Sequence, residues 1–201
     1  GMLAFSALGL AGGAMACTAA PAADGQTLKI GLIGPFTGGT ADFGHSMRNG
    51  VELAVAEINA VGGYVGRQLE LVVRDDKSNP DEARRTSEEP VKQGVVAAIG
   101  FCNSGNALKS LDVYQAARVP LIVPCATGSA ITATIPAADS YIFRTSPSDG
   151  LQVPFVVGEM VRRGVTKIAL LADNTGYGEG GLKDFTQAMQ SHKLQPTYVG
   201  R

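Results

Sequence analysis

From Leu28 onward two hydrophobic periods alternate along the chain: short apolar runs of strand length, each followed by a stretch with apolar side chains every three or four positions. The first run, LKIGLIGPF, ends in Gly34-Pro35, and Met47, Val51, Ala54, Val55 and Ile58 then form a helical stripe that stops at Gly62-Gly63. Leu69 to Arg74 is a second strand, ending at Asp75-Asp76. Ser78-Asn79-Pro80-Asp81-Glu82 supplies a cap, an N1 proline and first-turn acids for a second helix, which Pro90 interrupts. The pattern predicts a third strand over Val95 to Ile99, a third helix burying Ala107, Leu108, Leu111 and Tyr114, and a fourth strand over Val119 to Val123. Cys125 to Ser140 is irregular and Tyr141 to Thr145 extended. Ser146-Pro147-Ser148-Asp149 introduces a helix over Leu151 to Arg163, Lys167 to Ala172 is a strand, Tyr177 to His192 is helical, and Pro196 to Arg201 begins another strand.

Strands alternating with helices over short connections specify a parallel sheet covered on both faces, because parallel strands need a crossover and the crossover is right-handed. The fold class is therefore α/β, a doubly wound parallel sheet. Residues 28–145 form a complete first lobe and 146–201 the start of a second, similar one. A single strand-helix-strand start cannot bury both faces of its sheet, so the second lobe is expected to be unfinished at Arg201 and to fold poorly.

The segment before Leu28 reads differently. Met2 to Ala16 is uncharged and mostly apolar, shorter than the roughly twenty residues of a membrane-spanning helix, and ends in the small-residue pattern Ala14-Met15-Ala16. Residues 1–17 are read as a secretory signal and 18–27 as a flexible tether. Cys17, directly after the small residues, resembles the lipidated cysteine of bacterial lipoproteins; cleavage to a soluble secreted form is the other reading. A basic n-region is missing and Gly1 precedes Met2, so the natural N-terminus is expected to be clipped. Gly9, Gly12 and Gly13 argue against a buried helix here.

Composition narrows the function. Hydrophobic residues make up 45% of the chain and charged ones 17%, with a formal net charge of −1. Basic residues occur singly or in pairs such as Arg84-Arg85 and Arg162-Arg163, which gives no phosphate-tracking face and excludes nucleic acid as an expected partner. The sequence has no G-x-G-x-x-G after the first strand, no P-loop and no G-x-S-x-G elbow. Its only histidines, His45 and His192, fall on different lobes, so neither a zinc site nor a His-based triad is expected. The chain is read as non-enzymatic, without cofactor or metal; a secreted α/β enzyme is the rival for which no nucleophile-base pair can be named.

In open α/β sheets ligands bind beyond the C-terminal ends of the strands. The loops there are 34–44, 100–106 and 124–129, rich in Gly, Ser and Thr. Ser104 and Thr127 follow successive strands, and the helix start after Ser104 aims its positive end outward, which suits a carboxylate. Taken singly, Ser104 also reads as an N-cap and Thr127 as a turn residue, Phe43 and Tyr177 as core aromatics at helix starts, and Asp42 as a cap. Cys102 and Cys125 follow adjacent strands and are either a disulfide or two free thiols.

The runs LKIGLIGPFTGGTADFG, AVAEINAVGG, IGFCNSGNA, VPLIVPCAT, YIFRTSPSD and IALLADNTGYGEG resemble type I periplasmic substrate-binding proteins of branched-chain amino acid ABC transporters, over Leu28 to Arg201. The most specific pieces are the P-x-T-G loop with its following aromatic-Gly, the A-x-x-x-I-N-x-x-G-G helix end and the D-x-x-x-Y-G turn. The resemblance implies an extracytoplasmic protein that holds an amino acid, or a related small carboxylate or amide, between two lobes and delivers it to a membrane permease. It places the ligand's carboxylate on Ser104 and Thr127, with Gly105 beside them, main-chain contacts from Cys125 or Ala126, and aromatic cover from Phe43 and Tyr177. The acidic partner of an α-ammonium is implied to lie beyond Arg201. A sensor domain of a receptor with the same fold is the alternative.

Overall fold

The computed structural model describes residues 27–201. The segment read as a secretory signal, Cys17 and residues 18–26 of the segment read as a tether lie outside the described residues. The first lobe contains β1 (Leu28–Gly34), α1 (Ala41–Ala60), β2 (Leu69–Asp75), α2 (Pro80–Lys92), β3 (Ala97–Ile99), α3 (Ser104–Ala117), β4 (Leu121–Val123), the short α4 (Ala130–Ala133) and β5 (Ile142–Arg144). Every strand pair is parallel and the sheet order is β2-β1-β3-β4-β5, a doubly wound arrangement. After it come α5 (Asp149–Arg162), β6 (Ala169–Leu171), α6 (Gly176–Ser191) and β7 (Tyr198–Gly200), with β6 and β7 paired parallel as a separate two-stranded sheet.

Strand alternation divides the first sheet's side chains between two faces. Ile33, Ala98, Leu121 and Val123 point to the side where α2 packs against α3, and with Ala83, Phe101, Leu111 and Tyr114 they form the main core. Ile30, Ala97, Ile99 and Ile122 point to the α1 side. There Met47, Val51, Val55 and Ile58 face an open apolar groove of about 670 Å³ instead of closing down on the sheet. Gly44 is the one buried residue of α1, and Ile122 and Phe143, register partners, stay 36% and 51% exposed. The helical stripe thus lies where the period put it but is only half covered. A smaller core, of Val153, Val157, Ile168, Leu170, Ala188 and Met189, joins α5 and α6 to β6, while Leu171 and Tyr198 remain exposed.

The predicted third and fourth strands begin two positions late for one reason. Val95 and Val119 use their N–H groups to close the preceding helices, donating to the Pro90 and Tyr114 carbonyls, after left-handed residues at Gly94 and Arg118. This is the Schellman pattern, in which an apolar residue follows the left-handed one. It repeats at Gly164-Val165 and Lys193-Leu194, which close α5 and α6. Helix α1 starts at Ala41, ahead of its apolar period, with Thr40 and not Asp42 at the cap position.

The sequence motifs have packing causes. Asn59 pairs with the main chain of Leu69 through both its amide atoms, fixing the end of α1 to β2. A Cβ on Gly63, at φ +80°, would meet the Arg67 carbonyl oxygen at 2.1 Å. Gly44 lies against Pro35, whose carbonyl oxygen would be 2.0 Å from an added Cβ. Gly44→Ala is therefore expected to lower stability by about 1–3 kcal/mol through overpacking. Gly50→Ala, on the same helix where an added Cβ meets nothing within 4 Å, is expected to raise stability by about 0.5–1 kcal/mol. Urea denaturation of the two variants beside the parent chain checks both signs.

A cleft at the strand ends as the candidate binding site

Three loops from the C-terminal ends of the first sheet converge with the start of α6 on a cleft of about 590 Å³. The first wall starts from β1 and β2. Asp75, last residue of β2, accepts hydrogen bonds at Oδ1 from the N–H groups of Phe36, Thr37 and Lys77 and at Oδ2 from the Thr37 hydroxyl at 2.6 Å. Burial raises the pKa of this carboxyl, but the Thr37 hydroxyl and the three N–H donors together hold it below the ordinary carboxylate value. Gly38 at φ +90° lets the chain pass over the Lys77 carbonyl, where a Cβ would fall 2.6 Å away. Thr40 then bridges outward, its Oγ1 donating to Asn103 Oδ1 at 2.9 Å and lying 2.8 Å from Ser78 Oγ. The P-x-T-G loop is thus pinned to β2 and to the loop after β3.

The second wall is the start of α3 with the loop after β4, side by side because β3 and β4 pair. Ser104 is the first residue of α3, and Asn103 occupies the N-cap without a capping side-chain hydrogen bond. The starts of α2, α5 and α6, by contrast, are capped by Asn79, Ser148 and Thr175. Ser104 is buried, and its Oγ accepts from the Gly128 N–H at 3.1 Å, tying the two loops together. Arg144 holds the loop from the other side: Nη1 donates to the Thr127 and Gly128 carbonyls at 2.9 and 2.8 Å, and Nη2 to Thr132 Oγ1. The third wall is the turn before α6. Asp173 Oδ1 accepts from the Thr175 N–H, the Thr175 hydroxyl and the Gly178 N–H, interactions that keep its carboxyl ionised below the usual range. A Cβ on Gly178 would sit 2.2 Å from the Asp173 carbonyl oxygen, which explains the glycine after Tyr177.

Of the residues singled out in the sequence, Phe43, Ser104, Gly105, Cys125, Thr127 and Tyr177 all border this cleft. Phe43 and Tyr177 are 62% and 50% exposed, so neither is a core aromatic. Ser104 is not an N-cap. Cys102 and Cys125 are free thiols, both at the cleft. Ala126 is a correction: it is buried, its N–H donates to the Phe101 carbonyl and its own carbonyl accepts from Ser146 Oγ, so its main chain is spent inside the fold and it does not border the cleft. Thr40, Asn103, Asp75 and Arg144 were missed as positioning residues. An acidic side chain ending β2 carried the only signal for Asp75, and the arginine ending β5 the only one for Arg144.

Beneath the cleft, Asp76 is fully buried beside Asn106. Its Oδ1 accepts from the Ser78 N–H, and its Oδ2 has no hydrogen-bond partner. Burial pushes its carboxyl up to about 6, a shift that Asn106 and the Ser78 N–H oppose and the nearby Asp75 charge adds to.

Residues 27–201 match the family model described as periplasmic binding protein. A leucine-, isoleucine-, valine-, threonine- and alanine-binding protein of Pseudomonas aeruginosa is 36% identical over 178 residues, 88% of this chain and 45% of the relative. The structure is similar, at TM-score 0.73 and 31% identity, to the branched-chain amino acid transporter substrate-binding protein of Streptococcus pneumoniae in complex with isoleucine, over 87% of this chain and 49% of that one. It is also similar, at TM-score 0.74 and 28% identity, to a solute-binding protein of an ABC transporter from Rhodopseudomonas palustris in complex with p-hydroxybenzoic acid, over 87% and 46%. The chain spans about half the length of the relatives it matches.

The Asp76 site generates a pH signature of unusual sign. With a folded pKa near 6 against an ordinary 3.8, the folded chain holds a proton that the unfolded chain releases, so this group's stabilisation is present at low pH and lost as pH rises through about 6. Asp76→Asn is expected to raise the thermal midpoint relative to the parent at pH 7.5, with the difference shrinking at pH 4.5. Differential scanning fluorimetry across that range checks it; a difference independent of pH would contradict the assignment.

Proposed function

The chain belongs to the periplasmic binding protein family, a family of binding proteins and not of enzymes, and from that premise we propose that it captures a small carboxylate, centrally a branched-chain amino acid, in the cleft between its lobes and delivers it to an ABC transporter permease. It works outside the cytoplasm, with Cys17 as the candidate lipid anchor. The cleft is of the size that takes a small molecule. The observation that carries the reading is the uncapped start of α3. Ser104, Gly105 at its first turn and Thr127 all border the cleft, and among the described residues no Lys, Arg or His lines it to pair with an anion.

The chemistry follows from the walls. The ligand docks first on the loops after β3 and β4, which the hydrogen bond from the Gly128 N–H to Ser104 Oγ and those from Arg144 keep in register. Phe43 on one side and Tyr177 on the other supply apolar cover for a side chain. Closure about the strands near Thr145 then brings the Tyr177 wall over the ligand and expels water. Hydrogen bonds to a carboxylate in that drier setting are worth about 1.5–3 kcal/mol each. Two of the relatives solved with ligand hold isoleucine and p-hydroxybenzoic acid. These molecules share a carboxylate and differ in everything else, as expected if the first lobe reads the acid and the aromatic walls read the rest.

Calorimetric titration with L-isoleucine and with p-hydroxybenzoate tests this reading. Ser104→Ala or Thr127→Ala is expected to weaken binding about tenfold or more, the loss of roughly one such hydrogen bond. L-isoleucinol, which lacks the carboxylate, is expected not to compete. Unchanged affinity in both variants, or effective competition by the amino alcohol, would remove the carboxylate site from these loops.

A further inference from the structure

Cys102 and Cys125 lie on the loops after β3 and β4, at the floor of the cleft. The backbone between them is already joined: the Ala126 N–H donates to the Phe101 carbonyl at 3.1 Å, so the two cysteines flank one main-chain hydrogen bond. Both side chains are half-buried yet border the cleft, so a reagent entering it reaches them. Two thiols on loops joined by a main-chain hydrogen bond, held by pairing strands and open to solvent on one side, are placed to be joined with little backbone movement.

We propose that Cys102 and Cys125 form a reversible dithiol–disulfide pair in the floor of the cleft, oxidised by a reagent of the disulfide class. Cys125 attacks first. The neighbouring Cys102 thiol holds its pKa below the ordinary thiol range, while Cys102 is held in the protonated form by the Cys125 sulfur beside it, by burial and by the buried Asp76 nearby. The Cys125 thiolate bonds to one sulfur of R–S–S–R as that bond breaks, and RS⁻ leaves and takes up a proton. Cys102 then gives its proton to solvent and attacks Cys125 Sγ, expelling the second RS⁻. The protein loses two thiol hydrogens and two electrons, and the oxidant becomes two RSH; a dithiol reductant reverses both steps. Because the bond would tether the loops carrying Ser104 and Thr127, oxidation would stiffen the floor of the cleft. The chemistry itself does not depend on what the cleft binds.

Tryptic mapping reads the result directly, because Cys17, Cys102 and Cys125 fall in separate peptides, 1–29, 93–109 and 119–144. The reduced, folded chain is treated with excess oxidised glutathione, quenched in acid, and its remaining thiols alkylated before digestion. The expected product is a cross-link between 93–109 and 119–144, lighter by two hydrogens than the separate peptides and absent after treatment with dithiothreitol. In Cys102→Ser, Cys125 is expected to accumulate as the glutathione mixed disulfide; in Cys125→Ser, Cys102 is expected to be recovered mainly alkylated. Recovery of Cys125 in the parent chain as a persistent glutathione adduct, alkylation of both thiols, or cross-linking of either to Cys17 in preference would overturn the proposal. Loss of ligand binding in the separate calorimetric experiment would leave this outcome untouched, so failure of one reading is distinguishable from failure of the other.

Discussion

The parallel pairing of β3 with β4 makes one wall out of two distant loops. Each strand is short, three residues long, so the loops leave the sheet almost together and cannot drift apart before the Ser104 Oγ accepts from the Gly128 N–H. A helix start without a cap costs stability when nothing satisfies its N–H groups. Here the cost falls at the border of the cleft, where the proposed carboxylate would offset it. Gly128 is close enough to Ser104 that an added Cβ would come within 3.0 Å of its side chain, so the contact between the loops depends on a residue with no side chain.

The opposite wall is built by the same economy of means but with the opposite sign. Asp173 caps the turn before α6 and stays charged, and Thr175 adds a second cap. The starts of α3 and α6 approach closely, with an added Cβ on Gly176 only 3.1 Å from Gly105 Cα. Ser129 donates to Asp184 at 2.5 Å nearby, so hydrogen bonding crosses from the first lobe to the second as well. Two glycines at this contact let main chain meet main chain, and a bulkier pair would wedge the cleft open.

The order of strands and helices was legible because period and punctuation agree along most of the chain. The parallel sheet followed from connection chemistry. Boundaries were not legible where one residue serves two elements: Val95 and Val119 have the composition of strand residues and the hydrogen bonding of helix closures. Loop position pointed Ser104 and Thr127 to the cleft, whereas Phe43 and Tyr177, which read singly as core aromatics, were placed there by the family resemblance; the structure puts all four at its border. The fate of Ala126 could not be read from either, because whether a main-chain group is spent depends on partners at Phe101 and Ser146, distant in sequence. Asp76 was equally silent: adjacent to Asp75 in the chain, it points into the core while Asp75 collects four donors, and only the fold separates them.

A cleft without cationic side chains fits the physics of a binding protein that must also let go. A Lys or Arg in that place would be drawn to Asp173, and breaking that pair would oppose ligand entry. Helix-end N–H groups and hydroxyls are fixed by the fold, so they need little reorganisation to meet a carboxylate, and their attraction is strongest when closure has removed water and weaker when the lobes part. On the proposed function, affinity would be tied to the closed state by the dielectric of the cleft itself. Opening would return water to the same donors, so the hydrogen bonds proposed for the ligand would hold only as long as solvent is kept away.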